Sequence, residues 1–213
     1  MVSSWAVALF LITGAAGFIG SSLVRGLLER GHPVLGIDNL ATGKSGNLED
    51  LKGRIDFREA SLLHATELAD ACRDVDYVLH QAAIPSVPRS VADPVASNQA
   101  NVEGTVNLLV AARDAKVKRV VYAASSSAYG ETPALPKRED MMPSPISPYA
   151  VAKLAGEMYM TSFYRCYGLE TVSLRYFNVF GPHQDANSQY SAVLARFITL
   201  MLRGEPPTIF GDG

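Results

Sequence analysis

VALFLITGAAGFIGSSLVRGLLERGHPVLGID, residues 7–38, holds an unbroken apolar run, a glycine-rich turn, a stretch of helical periodicity and a second apolar run. Val7 to Ile12 predicts a strand buried on both faces, as the core of a parallel sheet requires. Phe18 to Arg30 repeats apolar residues at helical spacing and is closed by Gly31. Val34 to Ile37 predicts the next strand, ending at Asp38. Strand, turn, helix and strand in this order make a β-α-β unit.

The unit recurs along the chain. Asp76 to His80 predicts a strand, Pro94 to Ala115 a helix, and Arg119 to Ala124 another strand. Ser147-Pro148 is a cap followed by a first-turn proline, opening a helix through about Tyr167 that Gly168 ends. A strand at Glu170 to Arg175, a loop from Asn178 to Ser188 and a helix near Ala192 to Leu202 follow. This alternation predicts an α/β fold: a doubly wound parallel sheet with helices on both faces.

With 213 residues, 48% apolar and 19% charged, the chain has ample material for one buried core. A net charge of -2 provides no broad positive field for nucleic acid or an anionic membrane. Cys72 and Cys166 are far apart, and His32, His64, His80 and His183 are dispersed. Neither a disulfide framework nor a metal site is expected, and a reducing cytoplasm fits. The run Trp5 to Ile12 has no basic region before it and is too short to span a bilayer, so it reads as a strand. TIFGDG at Thr208 to Gly213 reads as a strand entering a turn with nothing after it, so the sequence is expected to be a fragment of a longer protein.

Gly14, Gly17 and Gly20 fall between a strand and a helix. There the missing side chains permit a tight turn, close approach of a pyrophosphate and close helix packing. Asp38, at the end of the second strand, can accept hydrogen bonds from an adenosine ribose and would repel a 2'-phosphate, which favours NAD. Lys44 keeps NADP open, since it can pair with an extra phosphate.

Tyr149 and Lys153 are one helical turn apart and project from one face. A nearby ammonium favours a phenolate, and so does the positive nicotinamide, which would make Tyr149 a general base. The serines Ser125, Ser126 and Ser127 follow the strand Arg119 to Ala124, at the edge where ligands bind in this architecture. A serine hydroxyl there can donate to a sugar oxygen or accept from it. Tyr159, Phe163, Tyr164 and Tyr167 recur at helical spacing, as core or a helix-pair interface would.

Through TGAAGFIG, DNLATG, HQAAIPSVPRS, NVEGT, SSSAYG, SPYAVAK and LRYFNVFGPHQD, the whole chain resembles the extended short-chain dehydrogenase/reductases. Within them it is most similar to the nucleotide-sugar 4-epimerases, the UDP-glucose and UDP-N-acetylglucosamine 4-epimerase group. The resemblance implies a Rossmann-type NAD-binding domain over residues 1–213, which includes the start of a substrate-binding region at about 178–213. Most of the smaller C-terminal lobe would be missing. It also implies NAD as cofactor, a UDP-sugar as substrate, C4 epimerisation through a 4-keto sugar, and a cytoplasmic homodimer pairing the helix near Asn98 to Ala112 with that near Tyr149 to Tyr167.

The same resemblance makes Tyr149 the base, with Lys153 holding the nicotinamide ribose and tuning the tyrosine, and Ser125 bonded to the sugar oxygen at C4. Cofactor contacts are implied at Gly14, Gly17, Phe18, Ile19, Gly20, Asp38, Asn39, Gly43, Ser61, Leu62, Gln81, Ala82, Ala83, Asn101 and Val179. Sugar-nucleotide contacts are implied at Ser86, Ser126, Ser127, Asn178, Ala192, Val193 and Phe197. Relatives commonly place an aspartate where Ser61 stands, which leaves adenine to backbone groups. A 4,6-dehydratase is disfavoured because Ser126-Ser127 replaces its Asp-Glu pair, and a decarboxylase because its glutamate is missing. UDP-glucuronate 4-epimerase and a non-catalytic NAD-binding domain are the other readings.

Overall fold

The computed structural model of the protein describes residues 6–184 and 193–208. The chain divides into two compact units, Met1–Tyr176 and Phe177–Gly213. In the first, the opening glycine turn joins β1 (Phe10–Thr13) to α1 (Phe18–Glu29), which leads to β2 (Val34–Asp38). A 3-10 segment, Ser45–Leu51, precedes β3 (Asp56–Glu59) and α2 (Ala65–Ala71). Next come β4 (Tyr77–His80), the short helices α3 (Val87–Ala92) and α4 (Pro94–Asn98), a π turn at Gln99–Glu103, and α5 (Gly104–Asp114). β5 (Arg119–Ser125) runs into a 3-10 turn, Ser126–Tyr129, and the unit ends with α6 (Pro148–Tyr167) and β6 (Glu170–Tyr176). The second unit contains α7 (Val193–Leu202).

The six strands form one sheet in the order β3-β2-β1-β4-β5-β6, and every neighbouring pair is parallel. The order reverses between β1 and β4. At that point the loops leaving two strands part in opposite directions and open a crevice at the carboxyl edge. β2 is buried at all five positions, which is why Val34 to Ile37 form a continuous apolar run before the buried Asp38. One core joins Leu11, Val78, Val120 and Tyr122 to residues of α2, α5 and α6, and the other joins Ile12 and Val34 to Val24 of α1.

The first strand is shorter than its apolar run predicts. Ladder pairing starts at Phe10, opposite Val34 and Tyr77, and Val7 is 74% exposed. The residues before it are tied by side chains instead: Ala8 N donates to His32 Nδ1 (3.3 Å) and Leu9 N to Asp76 Oδ2 (2.8 Å). Trp5 lies outside the described residues, as do residues 209–213 of the TIFGDG turn. The single helix expected from Pro94 to Ala115 is interrupted by the π turn, which buries Asn101. β3, α2 and α3 carry no strong periodicity and emerge only in the structure.

Candidate active site

Gly14 has φ +69, and a Cβ on it would lie 2.7 Å from Ala82 N. β1 and β4 can therefore bring the glycine turn and the Gln81-Ala82 backbone into direct contact. A Cβ on Gly20 would meet the Gly14 carbonyl oxygen at 2.0 Å, so α1 leaves the turn at a distance only glycine permits. Gly17 caps α1 without any side-chain bond, and no acidic residue stands in the first turn. The N–H groups of Phe18, Ile19 and Gly20 begin a helix, where backbone donors and the dipole suit a pyrophosphate.

Asp38 is 7% exposed, accepting from Ala16 N (3.0 Å) through one oxygen and from Leu40 N (2.8 Å) through the other. Burial raises its pKa, and those two backbone bonds oppose the rise. The Ala16 carbonyl in turn accepts from Lys44 N (3.0 Å) and Asn47 Nδ2 (2.9 Å). Asp38 therefore braces the glycine turn against the loop after β2, a role its position alone does not reveal. Gly43 lies against this carboxylate, since a Cβ there would be 2.7 Å from Oδ2, while Asn39 is exposed and accepts from Ala41 N. Ser61 and Leu62 follow β3, where the buried Leu62 packs against Gly104 and its carbonyl accepts from Asn107.

His80 ends β4, fully enclosed. Its Nδ1 meets Thr13 Oγ1 at 2.7 Å and its Nε2 meets Thr105 Oγ1 at 2.9 Å. Thr105 spends its one hydroxyl proton on the Asn101 carbonyl (2.8 Å), so His80 must donate from Nε2 and accept at Nδ1. Thr13 then donates to His80 and accepts from Ala82 N (3.2 Å). Burial pushes the His80 pKa down to about 3, and the Lys153 ammonium adds to the effect. His80 is thus a neutral strut between the glycine turn and the π turn. From that turn Asn101 clamps the main chain of Ile84, accepting from its N (2.8 Å) and donating to its O (3.1 Å). Gln81 Oε1 is buried with no hydrogen-bond partner, an unspent acceptor beside the glycine turn that fits a ligand with donor groups, and Ala83 follows half-buried.

Ser125 closes β5 and its hydroxyl oxygen accepts from Ser127 N (3.2 Å), which leaves the hydroxyl proton for another acceptor. Ser126 and Ser127 start the 3-10 turn, both half-buried. Tyr149 is the second residue of α6, whose start is capped by Ser147 bonded to Ala150 N (3.2 Å). One turn on, Lys153 is 4% exposed, with Nζ donating to the Ala123 carbonyl (2.9 Å) and lying 4.9 Å from the centre of the Tyr122 ring. Burial lowers its pKa to about 8.

Burial raises the Tyr149 pKa, and the Ser125 bond only partly offsets that. The expected lowering by Lys153 does not govern this arrangement, because the ammonium is directed to the Ala123 carbonyl. Ser86 caps α3 with φ +105, a conformation costly for a residue with a side chain. Asn178, Val179 and the half-buried Phe197 belong to the second unit, Val193 opens α7, and Ala192 lies outside the described residues.

A strand-turn-helix built for a dinucleotide and a serine-tyrosine-lysine group at the same sheet edge define a nucleotide-cofactor enzyme fold of the dehydrogenase kind. The chain belongs to the NAD dependent epimerase/dehydratase family, whose profile matches residues 10–213. It is 42% identical to the UDP-glucose 4-epimerase of Mycolicibacterium smegmatis, over 95% of this chain and 66% of that protein. Among solved structures, the UDP-N-acetylglucosamine 4-epimerase from Methanobrevibacter ruminantium superposes with a TM-score of 0.92 at 43% identity, covering 97% of this chain and 66% of that one. The UDP-glucuronic acid 4-epimerase from Bacillus cereus, solved with UDP-glucuronic acid and NAD, gives 0.85 at 38% identity, covering 96% and 66%. The chain thus spans just under two thirds of the length of these relatives. No helix among the described residues is long and apolar enough to cross a membrane.

Proposed function

We propose that the protein interconverts the C4 epimers of a UDP-sugar, with Tyr149 as base. The observation that carries this reading is the buried Lys153 one helical turn from Tyr149 at the capped start of α6, with Ser125 at the end of β5 as the hydroxyl that draws the Tyr149 pKa down. NAD, when bound, supplies the acceptor for the C4 hydride and returns it. Tyr149 takes the proton of the sugar 4-hydroxyl as the C4–H bond breaks and gives it back when the hydride returns to the other face of the 4-keto sugar. Ser125 holds the sugar oxygen, and Ser86, Ser126 and Ser127 line its approach. Since burial favours the neutral phenol and Lys153 is directed to the Ala123 carbonyl, the positive nicotinamide would be the charge that favours the phenolate.

On this reading the nucleotide is held from the second unit, where Asn178, Val193 and Phe197 lie. The protein works in the cytoplasm, in keeping with its free thiols Cys72 and Cys166. The test is incubation of the full-length protein, without added NAD, with UDP-glucose, UDP-N-acetylglucosamine and their uronic acids, followed by NMR of the products. Conversion of one of them to its C4 epimer is expected and names the sugar. Release of carbon dioxide from a uronic acid would make the protein a decarboxylase instead. Retention of NAD with no conversion would leave a binding domain.

A further inference from the structure

Helix starts leave backbone donors without partners, and the start of α6 matters because Tyr149 is in it. Pro148 has no N–H, Ala150 N is served by the Ser147 hydroxyl, and Val151 N bonds the Ser147 carbonyl at 2.9 Å. The remaining donor, Tyr149 N, is bound from another element: it donates to Ser90 Oγ at 3.0 Å. Ser90 is 1% exposed, and its own proton goes to the Val87 carbonyl at 2.8 Å. Both hydroxyl functions of Ser90 are thereby fixed, and its oxygen has a set direction.

We propose that Ser90 is a positioning residue for Tyr149, holding the main chain of the base from α3 through the bond from Tyr149 N to Ser90 Oγ. This rests on Tyr149 being the base. α3 is itself anchored by Ser86, which accepts from Arg89 N (3.3 Å) and whose carbonyl accepts from Ser90 N (3.2 Å). A strained loop residue, a buried serine and the base are therefore linked in sequence. The link from Ser86 to the backbone of Tyr149 runs through Ser90, by the Ser90 N bond to the Ser86 carbonyl and the Tyr149 N bond to Ser90 Oγ. Ser90 touches neither the sugar nor the cofactor in this scheme and acts only through the tyrosine.

The test compares Ser90→Ala, Ser90→Cys and Tyr149→Phe in the full-length protein, with whichever of the four UDP-sugars it converts. Ser90→Ala should keep its NAD and its KM within about twofold while kcat falls about tenfold or more, because a displaced base loses rate rather than binding. Its phenol titration, followed with NAD bound as the ultraviolet difference band that Tyr149→Phe removes, should move to higher pH, since the Ser125 bond is what draws that pKa down. Ser90→Cys keeps a weak acceptor of similar size and should fall between the two. A kcat within about twofold of the parent with an unmoved band overturns the proposal, and so does loss of NAD in step with turnover in both serine variants. Full turnover by Tyr149→Phe overturns the base assignment beneath it, whatever the serine variants do.

Discussion

At Gly20 the nearest obstacle to a methyl group is the Gly14 carbonyl oxygen, part of the turn's own backbone. Backbone cannot swing aside as a flexible side chain can, so Gly20→Ala must push α1 away from the turn. We expect a loss of about 1–3 kcal/mol, the usual cost of overpacking, visible as a lower Tm, together with weakened NAD retention on gel filtration. His80 makes a different prediction. Its pKa is about 3 when folded and near 6.5 when unfolded, so between those values the unfolded chain binds more protons. Stability therefore rises with pH across that window and falls by roughly 1.4 kcal/mol per unit as the solution is acidified through it. Denaturant titrations from pH 7 to pH 4 should show that slope, and it should be shallower by this amount in His80→Gln. The glycines were legible in the sequence because their spacing falls between an apolar strand run and a helical stretch, which identifies the turn. The brace that Asp38 forms with Ala16 was not, because it depends on which amide faces the carboxylate after folding.

The elements were legible wherever burial imposes a period. β2, β5 and α6 stand where their apolar patterns place them, and α6 begins and ends at the predicted cap, proline and αL glycine. β3 and α2 are short and largely exposed, so no strong pattern marks them. The π turn at Gln99–Glu103 is invisible in a helical sequence because it changes one turn of hydrogen bonding and not the apolar face. α6 is also held from its far side: Glu157 receives both Arg175 Nε (3.0 Å) and Arg175 Nη2 (2.7 Å), and that guanidinium lies over the Tyr129 ring at 4.7 Å. The pair ties α6, β6 and the turn after Ser125 together, with side chains 13% and 16% exposed. Glu157→Ala would leave the arginine charge poorly solvated, and a destabilisation of about 3 kcal/mol is expected from urea unfolding. On the same helix, a Cβ at Gly156 would come within 2.4 Å of the Tyr122 hydroxyl oxygen. Gly156→Ala should accordingly lift α6 from β5 and lower kcat more than it weakens NAD binding.

For the whole molecule, the cofactor contacts and the nucleotide contacts proposed above fall mostly in different units of the chain. Every cofactor contact proposed here except Val179 lies in Met1–Tyr176, a unit with its own two cores. The nucleotide contacts proposed at Asn178, Val193 and Phe197 lie in the second unit, and relatives extend about half as far again beyond the matched length. The sequence made the first unit legible because the close backbone approaches at Gly14 and Gly20 require glycine, and the spacing of those glycines is visible in it. It left the sugar open because loop side chains follow no repeating pattern that a sequence can reveal. The two sets of contacts should separate in a binding experiment. Calorimetry on the 213-residue chain is expected to show NAD binding, since the glycine turn, Asp38 and the His80 strut are all present in one folded unit. UDP titrated into the same sample is expected to bind at least about tenfold more weakly than into a chain of the relatives' full length, the outcome that further nucleotide contacts beyond the matched residues would produce. Equal UDP affinity in both would show that the nucleotide site is complete by Gly213 and would move the search for the sugar's determinants back to Ser86, Ser126 and Ser127.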